Sequence, residues 1–304
     1  MPDSGKHEPL ITAKDLMQGD FRTLARAISM VENSKPGSDD LLKSMPHKQT
    51  PVIGITGPPG AGKSTLVDAL IRQFTGDGKK IAILCVDPSS SFHTGALLGD
   101  RVRMNHWYND PRVFIRSLAS RGAVGGLNPR IFQMTDLLAG AGFDYIIIET
   151  VGVGQTEVDI SSLAGQVVLV LVPESGDDIQ TMKSGIMEIG DIFVVNKSDR
   201  PGAERFLLAL KSSIHYQTVK STDEIRIIQT VATEEKGIPE LYNAIKKNIR
   251  QLSSDQSLKI LTRKVWQLIS ANRMRDLDPE KLRLSIEKAM EKPDFNIYRF
   301  AETN

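Results

Sequence analysis

Two short stretches of this 304-residue chain hold residue types that could act on a nucleoside triphosphate. The first is "GPPGAGKS", residues 57–64, with Gly57, Gly62, Lys63 and Ser64 in the register of a phosphate-binding loop. Glycines let such a backbone curl until successive N–H groups face phosphate oxygens, and the helix that follows adds the positive end of its dipole. In that pattern Lys63 reaches the β- and γ-phosphates and the Ser64 hydroxyl ligates Mg²⁺. Gly60, Ala61 and Thr65 complete the expected nucleotide contacts of the loop.

The second stretch is "VVNKSD", residues 194–199. A carboxylate at Asp199 can accept both N1–H and the exocyclic N2–H of guanine, a donor pair that adenine lacks. Asn196, Lys197 and Asp199 therefore favour GTP over ATP. Four letters are a weak motif alone; their position downstream of a phosphate loop gives them weight.

A Mg²⁺ bridging two phosphates needs oxygen ligands or carboxylates around its water shell. Asp87 closes the apolar run "IAILCV", Glu149 closes "YIIIE", and Asp100 lies in "LLGDRVRM". The two strand-end acids are better placed than Asp100 on geometry alone. After Glu149 come Gly152 and Val153, where many GTPases have Asp-x-x-Gly followed by a glutamine that orients the attacking water. Valine cannot hydrogen-bond water, so slow intrinsic hydrolysis is expected, with Gln155 as the substitute candidate. Gly152 and Gly154 give the loop freedom to respond to a γ-phosphate.

Elements must hold these groups in place. From Val52 onward the runs "VIGIT", "IAILCV", "VFIRSL", "YIIIET", "VVLVLV", "IFVVN" and "IRIIQTV" alternate with helix-length segments. Apolar on both faces, they predict buried parallel strands of a doubly wound α/β sheet, whose ligand lies beyond the strands' carboxyl ends. Before them, "DFRTLARAISMVEN" puts Phe21, Leu24, Ala25, Ile28 and Val31 at helical spacing behind an Asp20 cap, and the polar "NSKPGSDD" is expected to end that helix. After them, "LKILTRKVWQLIS" and "DPEKLRLSIEKAM" read as helices, the second with Asp278 as cap and Pro279 at its first position. Three parts are expected: an N-terminal helical extension at 1–48, a nucleotide-binding domain at 49–250 and a C-terminal helical arm at 251–304.

Composition narrows the partners. Lys and Arg total 38 against 37 Asp and Glu, so bulk charge favours neither nucleic acid nor an anionic membrane. The single cysteine, Cys85, excludes a disulfide framework and fits a reducing, cytoplasmic setting. No signal-like segment or membrane span is read from the pattern.

Beyond single motifs, the stretches "GITGPPGAGKSTL", "VDPSSSFHTGALLGDRVRM", "RSLASRGAVGGL", "IIIETVGVGQTEVD" and "VPESGDDIQTMKSGIMEIGDIFVVNKSD" resemble the MeaB/ArgK type of P-loop GTPase, the methylmalonic aciduria type A protein family. With the helical extensions, the resemblance covers nearly the full chain. It implies a GTPase chaperone of an adenosylcobalamin-dependent acyl-CoA mutase, chiefly methylmalonyl-CoA mutase, that gates cofactor loading and protects or reactivates the mutase. It also places Mg²⁺-linked acids at Asp87, Asp100 and Glu149. Three switch segments are implied, at roughly residues 87–104, 149–161 and 172–183, the last ending at Lys183, a candidate for coupling nucleotide state to the mutase. Homodimerisation through the terminal helices is implied as well; Val265, Trp266, Leu268 and Ile269 would serve as interface or as intrachain core.

The chain departs from the family's pattern at His93, Thr94 and Val102 in the first switch and at Val231, which stands where a serine is usual beside guanine. The Ala232 backbone N–H can still serve the base. Two other readings stay open: a P-loop kinase or ATPase linked to basic amino-acid transport, and a nickel-type metallochaperone GTPase. The Asn-Lys-Ser-Asp element argues against the first, and five scattered histidines with one cysteine against the second.

Overall fold

The structure is a computed structural model that describes residues 11–87, 104–119, 127–150, 156–176, 187–217, 226–251, 254–274, 277–292 and 295–303. The seven runs expected as strands are strands: β1 (Val52–Thr56), β2 (Ile81–Asp87), β3 (Val113–Ala119), β4 (Tyr145–Glu149), β5 (Gln166–Leu171), β6 (Ile192–Val195) and β7 (Arg226–Gln229). They form one sheet in the order β3-β2-β4-β1-β5-β6-β7, and every pairing is parallel. This is a doubly wound P-loop architecture. Chain order reverses around β1, with β4 on one side and β5 on the other, which is where such a sheet opens its ligand crevice.

Both faces of the sheet are covered, which explains why the strands read as continuous apolar runs. On one face Ile53, Ile55, Ile83, Val168 and Val170 pack with Leu66, Leu70 and Phe74 of α4 (Lys63–Gly76) and Leu241 and Ile245 of α8 (Ile238–Gln251). On the other, Leu84, Ile146, Ile148 and Val167 meet α5 (Ile131–Gly140) and the amino-terminal helices. A third cluster joins Leu169, Phe193 and Val195 to Phe206 and Leu210 of α7 (Ala203–Gln217). The edge strand β7 differs: Gln229 is exposed and Arg226 and Ile227 are half-buried, because among the described residues no strand lies beyond it.

Helices α1 (Ala13–Met17), α2 (Phe21–Glu32) and α3 (Ser38–Ser44) share a core with the sheet. Asp20 caps α2 by accepting from the N–H groups of Arg22 and Thr23 at 3.1 and 3.0 Å. Leu24, Ile28 and Val31 are buried as their spacing requires. One expectation needs correction: "NSKPGSDD" does end α2, but its last three residues open α3. Gly37, at φ +84°, turns the chain, Asp39 and Asp40 sit in the first turn, and burial of Leu41 draws the segment into a helix. Arg130 pairs with Asp39 at 3.0 Å and fastens it to α5.

Beyond β4 lies α6 (Thr156–Leu163), whose Ile160 closes on Gly54 so tightly that an added Cβ would meet Ile160 at 2.5 Å. The chain divides into two compact units, Met1–Ser257 and Leu258–Asn304. Helices α9 (Ser254–Arg273), α10 (Pro279–Met290) and α11 (Ile297–Thr303) complete the described chain; Asp278 caps α10 and Pro279 opens it. Among the described residues no helix is long and apolar enough to cross a membrane.

Candidate functional site

The loop after β1 is shaped by glycines at positive φ. Gly57, at φ +141°, runs so close to β5 that an added Cβ would lie 2.0 Å from the Val170 carbonyl oxygen. Gly62, at φ +87°, is the residue before α4, and a Cβ there would meet the Asn196 amide nitrogen at 2.5 Å. No L side chain fits either position. Lys63 opens α4 and is buried; its ammonium donates to the carbonyls of Gly57 and Pro58 at 2.8 and 3.0 Å. The loop thus holds its own cation over the turn that would cradle a phosphate.

β4 delivers Glu149 to the same place. Its register partner is Ile55, and the Thr150 N–H continues the pairing to the Ile55 carbonyl at 3.0 Å. One step on, the buried hydroxyls of Thr56 and Thr150 lie 2.8 Å apart and tie the two strand exits together. Glu149 is only 4% exposed, and a carboxylate so buried needs polar partners. Ser64 supplies one: its hydroxyl donates to Glu149 Oε1 at 2.7 Å. A hydroxyl and a carboxylate oxygen side by side at a phosphate loop are hard oxygen donors, the kind Mg²⁺ takes one or two of, alongside phosphate oxygens and water. The residues present fit that ion. Asp87 ends β2, whose Cys85 is the register partner of Glu149.

The base side is held by one buried amide. Asn196, directly after β6, donates from Nδ2 to the Ala61 carbonyl at 2.8 Å, so it braces the phosphate loop. Its Oδ1 accepts from the Thr230 hydroxyl at 3.0 Å and from the Ala232 N–H at 3.2 Å, bracing the loop after β7. Lys197, in the left-handed region at φ +56°, donates to the Gly60 carbonyl at 2.7 Å. Asp199 stands exposed beyond these two, and Arg200 pairs with Glu174. Val231 is buried, and its side chain has no polar group to offer. The Ala232 N–H, expected to serve the base, here serves Asn196. Asn196 thereby bonds both the phosphate loop and the loop after β7, and Lys197 adds a second tie to the phosphate loop.

Residues 24–278 match the family model described as methylmalonyl Co-A mutase-associated GTPase MeaB. The chain belongs to the MeaB family of GTPases. It binds GTP and GDP through its P-loop and hydrolyses GTP to GDP and phosphate. A Pyrococcus abyssi protein bearing a GTPase name is 44% identical over 255 residues, 82% of this chain and 78% of that one. The mitochondrial methylmalonic aciduria type A homolog of Caenorhabditis briggsae is 39% identical over 203 residues, 61% of this chain and 49% of the homolog. The crystal structure of a LAO/AO transport system kinase superposes with a TM-score of 0.65 at 26% identity, covering 96% of this chain and 94% of that one.

Of the residues expected from sequence in this MeaB-family chain, Gly57, Gly60, Ala61, Gly62, Lys63, Ser64, Thr65, Asn196, Lys197, Asp199 and Ala232 lie on the loops at the carboxyl ends of the strands or at the start of α4, and Glu149 is the last residue of β4. Asp100, Gly152, Gln155 and Lys183 lie outside the described residues, as do His93, Thr94, Val102 and Val153. Sequence reasoning missed Thr230, whose hydroxyl supplies a side-chain contact at the base loop where Val231 cannot. Its position, immediately after the β7 run and before Val231, was the available signal.

Proposed function

We propose that this GTPase serves an adenosylcobalamin-dependent acyl-CoA mutase, methylmalonyl-CoA mutase first among them, gating cofactor loading and protecting or reactivating the mutase. The observation that carries the reading is the match of residues 24–278 to a family described as mutase-associated. The site geometry supplies a means. Asn196 links the loop that takes the phosphates to the loop that takes the base, so nucleotide occupancy is felt by both at once.

In the reaction, Lys63 neutralises phosphate charge and Asp199 reads guanine, while Ser64 and Glu149 would hold Mg²⁺, with Asp87 and Asp100 contributing from the first switch. Mg²⁺ bound there would supply charge neutralisation to the phosphates. Val153 cannot position water, so turnover is slow until the mutase arrives, with Gln155 and Lys183 acting at the switches that sense it. The protein works in the cytoplasm as a homodimer joined through its C-terminal helices, an arm spanning 251–304 after the 49–250 domain.

Pull-down with methylmalonyl-, isobutyryl- and ethylmalonyl-CoA mutases, in GDP and in a nonhydrolysable GTP analogue, tests this alongside GTP turnover. Nucleotide-dependent capture of one mutase and faster turnover in its presence are expected. Capture of none, with turnover unchanged, would sink the chaperone role.

A further inference from the structure

Three neighbouring strands end in a row of small polar side chains leading to Glu149. Cys85 of β2 is the register partner of Ser117 on β3 and of Glu149 on β4. Register partners in parallel strands project from the same face, so Ser117, Cys85 and Glu149 stand side by side. All three are buried, at 6%, 2% and 4% exposure. The Cys85 sulfur lies 4.0 Å from Glu149 Oε2, while Ser64 Oγ holds Oε1 at 2.7 Å. Each oxygen of the carboxylate therefore faces its own donor.

Ser117 is the informative member. Its buried hydroxyl has no hydrogen-bond partner, an arrangement that is costly and that an alanine would avoid. In register with it on the next strand is a thiol, which can donate one weak hydrogen bond and has only one proton to give.

We propose that Cys85 and Ser117 are positioning residues for Glu149. The thiol donates to Glu149 Oε2 and fixes the carboxylate plane; when Glu149 turns toward Mg²⁺ and its water shell, the S–H moves to the Ser117 oxygen instead. The unpaired hydroxyl is the second acceptor of that exchange. This rests on the reading of Glu149 as a Mg²⁺-organising acid. Groups that orient metal-binding side chains typically change metal affinity by about 10–100-fold when removed.

Because Cys85 is the sole cysteine, the infrared S–H stretch of the unmodified protein reports on it alone. The band is expected to shift when Mg²⁺ and GDP are added, and Ser117→Ala is expected to change the position it reaches. In parallel, retention of a fluorescent GDP is titrated against free Mg²⁺. Cys85→Ala should raise the midpoint about tenfold, and Cys85→Ser should restore it without regaining the thiol's packing. An S–H band indifferent to Mg²⁺ and GDP, or an unchanged midpoint in Cys85→Ala, overturns the proposal while leaving the metal reading intact. Wild-type retention that ignores Mg²⁺ altogether removes both.

Discussion

Asn196 does the work that a sequence motif could only hint at. Its amide is a donor to one loop and a double acceptor from another, so the base-binding loop is built partly on the phosphate loop. Asp199, three residues on, is exposed, and the proposed guanine contact falls to it. Asp199→Asn exchanges an acceptor for a donor opposite the guanine N1–H. Losing a charged hydrogen bond of about 1.5–3 kcal/mol weakens GTP binding roughly tenfold or more, and xanthosine triphosphate gains by the same change. Equilibrium binding of both nucleotides measures this, and unaltered GTP affinity would remove the assignment. At this scale the sequence was legible for the placement of Lys63, Ser64 and Asp199 in the fold, because motif spacing encodes their position relative to a strand and a helix. It was silent on Thr230, whose role depends on the approach of β7 to β6, a pairing of residues more than thirty positions apart.

The elements impose their own demands, which two glycines of the same loop separate. Gly57 is squeezed against the backbone of β5, whereas a Cβ on Gly60 would meet no atom within 4 Å. Both have positive φ, at +141° and +77°. Gly60→Ala should cost only the backbone strain, about 1–2 kcal/mol. Gly57→Ala must also push β1 from β5, so it should lose nucleotide binding and destabilise by clearly more than its neighbour; denaturant melts and fluorescent GDP binding compare the two. Equal behaviour would mean that the strand exit yields easily. The seven strands were readable because burial on both faces leaves runs of Val, Ile and Leu between helix-length gaps. α3 was not, since its first turn is Ser38, Asp39 and Asp40, residues that read as a loop until Leu41 finds its place in the core.

Across the whole molecule, apolar surface is unevenly spent. The first unit buries its large side chains in three clusters around the sheet. In the second unit Leu258, Leu261, Val265, Trp266 and Ile269 of α9 are exposed, Trp266 at 71%. An aromatic among aliphatic residues on one helix suits a subunit interface, in keeping with the proposed homodimer. Replacing Trp266 and Ile269 with glutamate should give a monomer by light scattering with GDP affinity within about twofold, because a two-fold change is under half a kilocalorie. A dimer that survives both substitutions would place its interface elsewhere. The terminal arm was legible as helix from spacing, while its exposure was not, since the same pattern serves a core or an interface.

Helix α4 carries one more attachment. The indole N–H of Trp107, in the short turn Asn105–Trp107 that follows buried Met104, donates to Asp68 Oδ1 at 2.7 Å, with Arg72 6.0 Å from the ring. The chain has two tryptophans, and the other is Trp266. Trp266→Phe therefore leaves a natural optical probe, its ring electronically coupled to a carboxylate and a guanidinium on the helix that starts at the phosphates, and emission from that single indole can time nucleotide exchange without any attached dye.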